Sequence, residues 1–351
     1  MMINNKLKIL IPALLALLIA GSWWFAVRRE AVKAEGVVIR EIQTTAPTNW
    51  DLANKLTGRD ILAEEGVRIE PVTSISGSGG TIALQALLAG NIDVGGSAWP
   101  AFINIIARGG KIRAVYPMHA STRNNEGGTQ GLVVLENSSI RSIKDLAGKR
   151  IGVNVLGAEA DYVIRQFLKK NGVSFSQVEL VVLPVEKQEQ MLRKGQIDAM
   201  TSGGIGGPYY EMALENGGVR QIPGTTNYET KGEAILSGIG FRNDFIEKHP
   251  DAVLRYVRAY DRSKRIIYDS FQKDPDRVKK AYAEVSIERG ANPALAKYFR
   301  ATSWTPDFPL IVDKDLQWWF DRFAEDGILT AGKLKPSDIY TNEFNPSYKK
   351  Q

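Results

Sequence analysis

One eight-residue pattern occurs twice in this chain and constrains its architecture more than any other feature. Leu87-Leu88-Ala89-Gly90-Asn91-Ile92-Asp93-Val94 returns as Leu192-Arg193-Lys194-Gly195-Gln196-Ile197-Asp198-Ala199. Each copy reads as a helix ended by glycine in the left-handed position after its last turn, followed by a short strand that buries its isoleucine. Each then enters a loop of small residues, Gly95-Gly96-Ser97-Ala98-Trp99-Pro100 in the first copy and Thr201-Ser202-Gly203-Gly204-Ile205-Gly206-Gly207-Pro208 in the second. Two lobes on one plan would each present such a loop at the carboxyl end of a strand. That edge of an open α/β sheet is where helices begin and unpaired N–H groups point outward, and two such edges face to face make a cleft. The simpler reading is a common helix-to-strand turn repeated by chance; the matching loops count against it.

The rest of the chain agrees with a two-lobed plan. Its 351 residues are enough for two cores. From Gly36 strand-like and helix-like stretches alternate, beginning with Val37 to Thr44 and an amphipathic stretch from Trp50 to Glu64, which reads as α/β. Two polar stretches, 121–129 and 227–233, mark crossings between lobes. The expected division is a discontinuous first lobe of residues 36–122 and 241–351, and a second lobe of residues 123–240, with both crossings acting as one hinge. Beyond Asn243 the chain reads as helical: His249-Pro250-Asp251 opens a helix with an apolar face of Val253, Val257, Tyr260 and Ile267. Leu316, Trp318, Trp319, Phe320 and Phe323 mark another helix, whose aromatics are expected to pack in the core. Residues 340–351 read as a polar, loosely held end.

Residues 1–34 break the pattern. Lys6 and Lys8 precede a run from Ile9 to Val27 without a charge, which is the signature of an export signal or a membrane anchor. Val32 and Ala34 offer a peptidase site before Glu35; cleavage and retention are both open. Of the 45 basic and 39 acidic residues, this leader holds five basic (Lys6, Lys8, Arg28, Arg29, Lys33) and one acidic (Glu30), which leaves a mature net charge of +2. The positive excess thus belongs to the leader, and a nucleic-acid-binding function loses its main support. The absence of cysteine excludes disulfides, thiolate metal sites and a lipidated cysteine.

With these segments in place, the chain resembles the ABC-type periplasmic binding proteins of the nitrate/sulfonate/taurine group, related to the thiamine-pyrimidine-synthase-like family. The stretches that carry the resemblance are Ser76-Gly77-Ser78-Gly79, Ala89-Gly90-Asn91-Ile92-Asp93 with Pro100, the run from Ser142 to Val153, Lys194-Gly195-Gln196-Ile197-Asp198-Ala199, Pro208-Tyr209, and the helix around His249-Pro250. The resemblance implies an α/β, two-lobed periplasmic binding protein type II fold, with a sheet in each lobe, a hinge of two crossings and an N-terminal signal or anchor helix. It implies ligand contacts from Thr45, Ala46, Pro47, Asn49 and Trp50, from Ser76, Gly77, Ser78 and Gly79, from Ser97, Ala98 and Trp99, from Gly157, Ala158 and Glu159, and from Thr201, Ser202, Gly203 and Gly204. Hydroxyls and loop N–H groups suit a polar head group, and Trp50 and Trp99 could stack on a carbon skeleton. Ser76, Ser78 and Thr81 are equally suited to capping a helix near Thr81, and Trp99 to packing in the core.

The implied role is a non-catalytic, extracytoplasmic solute-binding protein. Its partners are a small ligand, an ABC permease with its ATPase and, through an uncleaved leader, the membrane; it uses no cofactor or metal, binds no nucleic acid and is a monomer. A small organic sulfonate, sulfate ester or related anion is the first expectation for the ligand. Ala158 departs from the hydroxyl common at this position in sulfonate-type relatives, and Glu159 and Asp161 place two carboxylates in a helix's first turn, where they satisfy its dipole and would repel an anion. A neutral or cationic nitrogen compound is the alternative. An enzyme on this scaffold has little to work with: the only histidines are His119, near the presumed hinge, and His249, at a helix start, and no phosphate loop, nucleophile elbow or zinc helix is present. A sensor domain with a separate signalling partner is the third reading.

Overall fold

The computed structural model describes residues 36–75, 80–122, 131–201, 208–301 and 308–349. Ten strands and thirteen α-helices follow in these segments. They are β1 (Val37–Ile42), α1 (Asn49–Thr57), α2 (Ile61–Glu64), β2 (Val67–Val72), α3 (Gly80–Leu88), β3 (Val94–Ala98), α4 (Trp99–Ala107), β4 (Ile112–Ser121), β5 (Val133–Leu135), β6 (Arg150–Val153), α5 (Glu159–Lys170), β7 (Glu179–Val182), α6 (Val185–Arg193), β8 (Ala199–Met200), α7 (Tyr209–Glu215), β9 (Val219–Gln221), α8 (Asn227–Lys231), β10 (Ala234–Arg242), α9 (Asn243–Lys248), α10 (Pro250–Lys273), α11 (Pro275–Glu288), α12 (Asp313–Glu325) and α13 (Pro336–Ile339).

The strands form two groups. In the first, β1 and β2 are parallel, and β10 lies antiparallel between β3 and β4. Asp93 N–H donates to the Arg40 carbonyl at 2.9 Å, tying the start of β3 to β1. The second group is a five-stranded sheet in the order β7-β6-β8-β5-β9, with β6, β7 and β8 parallel and β5 antiparallel to β8 and β9. The whole of β10 pairs within the first group, from Ala234 opposite Ser121 to Arg242 opposite Ile112. Residues 234–240, which the sequence reading assigned to the second lobe, therefore lie beside β4. The second polar stretch is no open loop: Thr226 caps α8 in a reciprocal box with Glu229.

The repeated octapeptide occupies equivalent places in the two groups. Gly90 (φ +78°) ends α3 and Gly195 (φ +67°) ends α6; Ile92 and Ile197 are buried beneath the strands that follow. Both aspartates close the same clamp. Asp93 accepts the Arg40 N–H at 2.9 Å and its guanidinium at 2.6 and 3.1 Å. Asp198 accepts the Arg150 N–H at 2.8 Å and its guanidinium at 3.1 and 3.2 Å. Each aspartate thus ties the start of its own strand to an earlier strand, with the directional strength of charged, paired hydrogen bonds.

Elsewhere the helices follow from their caps. The stretch from Trp50 to Glu64 is two helices, because Gly58 takes a left-handed C-cap (φ +69°) and Asp60 restarts the chain by accepting the Ala63 N–H at 3.0 Å. α10 buries Val253, Val257, Tyr260 and Ile267 along one face. Trp319 and Phe323 are buried and receive Tyr162 of α5 at ring-centroid distances of 6.2 and 4.6 Å. The polar end is held more firmly than its composition indicated: Asn345 is buried, Thr341 N–H donates to the Ala114 carbonyl at 2.9 Å, and Asn345 donates to the Pro309 carbonyl at 2.7 Å.

Candidate functional site

The two small-residue edges contribute differently. At the end of β3, Ser97 is buried against Gly80, where an added Cβ would lie 2.2 Å from Ser97 Oγ; only glycine lets α3 approach this closely. Ala98 precedes α4 without a side-chain cap. Trp99 is fully buried, donates its indole N–H to the Ile235 carbonyl at 2.7 Å and lies over Gly238 and against Phe102. It is a core residue in this structure, since a ring covered on all sides by protein has no face left for a solute. Of the segment after β1, Thr45 is exposed and Asn49 half-buried, while Trp50 is buried with its ring edge-on to Tyr256 and Tyr260 at 5.8 and 6.2 Å. Ser76, Gly77, Ser78, Gly79, Ser202, Gly203 and Gly204, and the leader with them, lie outside the described residues.

A cavity of about 400 Å³ follows β1 and α1, lined among others by Glu41, Thr44, Thr48, Trp50, Asp51 and Arg289, a volume in the range of small-molecule sites. Arg289 donates to Asp51 Oδ2 at 2.8 Å and to the Thr44 carbonyl. Glu41 accepts from the Tyr256 hydroxyl at 3.3 Å, and burial pushes its carboxyl up to about 7. No local motif marks Arg289, which reaches this wall from 238 residues beyond Asp51.

On the second sheet, Gly157 has φ +70° and donates its N–H to Asp161 Oδ2 at 2.9 Å. Asp161 also takes Arg165 Nε at 2.7 Å. Glu159 is buried and takes the equally buried Lys231 Nζ at 2.7 Å. Burial pushes the Glu159 carboxyl up, opposed by Lys231, and burial pulls the Lys231 ammonium down, opposed by Glu159. The ammonium also sits 4.6 Å from the Trp319 ring centroid. Both first-turn carboxylates thus have their own cations, and the Gly157 amide at this helix start is already occupied by Asp161. Glu159 and Thr201 meet in a small pocket of about 30 Å³ with Thr225 and Asn227. Its walls come chiefly from α5, through Glu159, Ala160, Val163, Ile164 and Phe167, with Thr201 after β8, Gly131 and Leu132 before β5, and Thr225 and Asn227 after β9. Thr225 and Asn227 carry no motif of their own, and only their position just beyond a strand could have singled them out. His119, the histidine nearest the presumed hinge, is half-buried with Nδ1 2.9 Å from Ser237 Oγ, and burial, with the Lys264 charge nearby, lowers it to about 3.

Two groups of strands wired by the same clamp, with β4 and β10 on either side of the second group in sequence, define the two-lobed α/β type II binding-protein fold. The chain belongs to the NMT1/THI5-like family, whose model matches residues 60–277. A putative aliphatic sulfonates-binding protein of Escherichia coli K12 is 26% identical over 156 residues, which is 44% of this chain and 46% of that protein, so the match spans about half the relative's length. Among solved structures, the alkanesulfonate-binding protein SsuA from Xanthomonas axonopodis pv. citri, bound to MOPS, is similar with a TM-score of 0.64 at 21% identity, covering 88% of this chain and 99% of that one. The periplasmic nitrate-binding protein NrtA from Synechocystis gives 0.65 at 12% identity, covering 88% and 87%. At these identities the structural likeness carries the fold alone.

Proposed function

We propose that this protein is the extracytoplasmic solute-binding component of an ABC importer, closing two lobes on a small organic ligand and presenting the closed form to a permease. The observation that carries the reading is a binding-protein fold extending over nearly the whole described chain. Family membership supports it. The proposed division keeps residues 36–122 with the C-terminal part as one lobe, which the pairing of β10 favours starting at Ala234 rather than 241. The leader directs export and is either removed or kept as an anchor, the protein is a monomer, and it turns over no substrate. A small sulfonate, sulfate ester or related anion is the ligand class favoured by the relatives' names. A nitrogen compound is the second reading, favoured by the Gly157 amide, which Asp161 already occupies and which is therefore not offered to an anion.

Ligand that binds only the closed form raises the melting temperature by mass action and compacts the particle. Thermal shift and small-angle scattering against sulfonates, sulfate esters, nitrate, taurine, polyamines and pyrimidines test the proposal. A solute that raises the melting temperature and shrinks the radius of gyration is the expected result; a panel that leaves both unchanged refutes it.

A further inference from the structure

The second sheet meets the first group on both of its faces, by contacts of opposite character. Adjacent residues of β5 mark the two faces. Val134 packs in one apolar cluster with Phe167 of α5 and with Phe102, Trp319 and Phe323 from helices of the first group. Val133 packs with Met200, Val219 and Ala213 of α7, in a cluster that, among the described residues, is drawn from 133–219 alone. On the α5 face the two bodies thus share a core; on the α7 face they meet through side-chain tips. At the end of α7, Glu215 accepts from Lys297 Nζ with one carboxylate oxygen and from the Tyr298 hydroxyl with the other. Lys297 and Tyr298 belong to the 3₁₀ turn Pro293–Tyr298, capped by Asn292, which accepts the Ala294 N–H at 3.0 Å. Phe299 then anchors the turn against Tyr282 of α11, at a ring-centroid distance of 4.7 Å. α7 is seated on its own sheet by buried Ala213, and Asn216 just beyond it donates to both oxygens of Glu189 at 2.9 and 3.1 Å. With both ends seated, parting the contact means moving one body away from the other. The Glu215 and Lys297 side chains are 44% and 63% exposed, so water and salt compete for the pair and it yields readily.

We propose that Glu215, Lys297 and Tyr298 form a latch between the lobes, one that favours their approach before any solute is bound. The inference rests on the two-lobed transport reading and adds how its balance of open and closed forms is set. The apolar core on the α5 face is costly to part, since parting it would bare Trp319 and Phe323 to water. The polar contact on the α7 face is the one that can open and reseal. A weak contact suits that place: it biases the balance by a few-fold, where a strong one would keep the cleft shut against entering solute, which can shift two states only by its own difference in affinity for them.

The chain has no cysteine, so Lys187→Cys on α6 and Lys280→Cys on α11, both exposed positions, place one dye on each lobe for single-molecule energy transfer in buffer without solute. Glu215→Ala is expected to raise the ratio of long-distance to short-distance molecules by about three-fold or more. Lys297→Glu, which sets two carboxylates together, is expected to raise it further. Adding Glu215→Lys to Lys297→Glu restores an opposite-charge pair and is expected to return the distribution toward that of the parent. A distribution that either single variant leaves unchanged overturns the inference. So does a charge-swapped double variant that stays as open as Lys297→Glu alone, because the singles would then act by disturbing the surface and not by unpairing the latch. No solute enters the measurement, so the latch can fail here while scattering still shows solute-driven closure, and the transport reading can fail there while the latch stands.

Discussion

Gly238→Ala is the sharpest test of where Trp99 belongs. An added Cβ at residue 238 would lie 2.7 Å from Trp99 Cη2, 2.9 Å from Cζ3 and 3.2 Å from Ala114 Cβ. Ordinary carbon contacts begin near about 3.5 Å, so the indole must retreat by most of an ångström. It cannot do so freely, because its N–H is held by the Ile235 carbonyl at 2.7 Å and Phe102 stands against it. Overpacking of this kind costs about 1–3 kcal/mol, and loss of the buried hydrogen bond adds about 1 kcal/mol. The expected destabilisation is about 2–4 kcal/mol, or a fall in melting temperature of roughly 3–6 °C for a chain of this size, read by calorimetry or circular dichroism. Trp99→Phe is also destabilising alone, but it removes the clashing atoms. The double variant is therefore expected to cost at least about 1 kcal/mol less than the sum of the two. Additive effects, or a Gly238→Ala variant as stable as the wild type, would refute the packing argument and reopen a ligand-facing role for Trp99.

Other consequences follow from the buried charges. Lys231→Met strands the Glu159 carboxylate and should cost about 3–5 kcal/mol, whereas adding Glu159→Gln should restore much of it; urea unfolding of the two singles and the double checks the non-additivity. Glu41 titrates at about 7 in the fold against 4.5 unfolded, so its stabilising contribution is complete below pH 4.5 and lost as pH rises through 7. Glu41→Gln should remove that dependence and raise stability at pH 8 by on the order of 3 kcal/mol; an unchanged slope of melting temperature against pH refutes the assignment. His119 has the opposite sign: lowered to about 3 from 6.5, it contributes stability above pH 6.5 that is lost as pH falls toward 3. His119→Gln should flatten the acid side of the profile between about pH 6.5 and 4, and a profile that keeps its acid slope argues against a neutral imidazole.

The duplicated helix-glycine-strand unit was legible because each of its signals is local: an apolar run, a left-handed glycine, a buried isoleucine. The partners of its aspartates were not, since Arg40 and Arg150 lie 53 and 48 residues away and only strand pairing brings them into register. The same limit hid Lys231 from Glu159 and Arg289 from Asp51. Reading Glu159 and Asp161 as free negative charge was sound for an isolated helix; the fold supplies each with a cation from elsewhere. Trp99 carried an ambiguous signal, because a large ring after a glycine-rich strand suits a ligand or a core equally. The answer lies in Gly238 and Gly240, far along the chain, whose missing side chains leave room for Trp99 and Phe102.

The placement of β10 has a consequence for how the molecule assembles. β3 and β4 touch no common strand until β10 is laid between them, and β10 comes after all five strands of the second sheet. As the chain emerges amino end first, the N-terminal half must wait, partly unzipped, for more than a hundred residues, while the segment from β5 to β9 can close on itself at once. The later-made lobe is thus the earlier to mature, and the interval leaves the edges of β3 and β4 bare for any chaperone or stray strand that meets them.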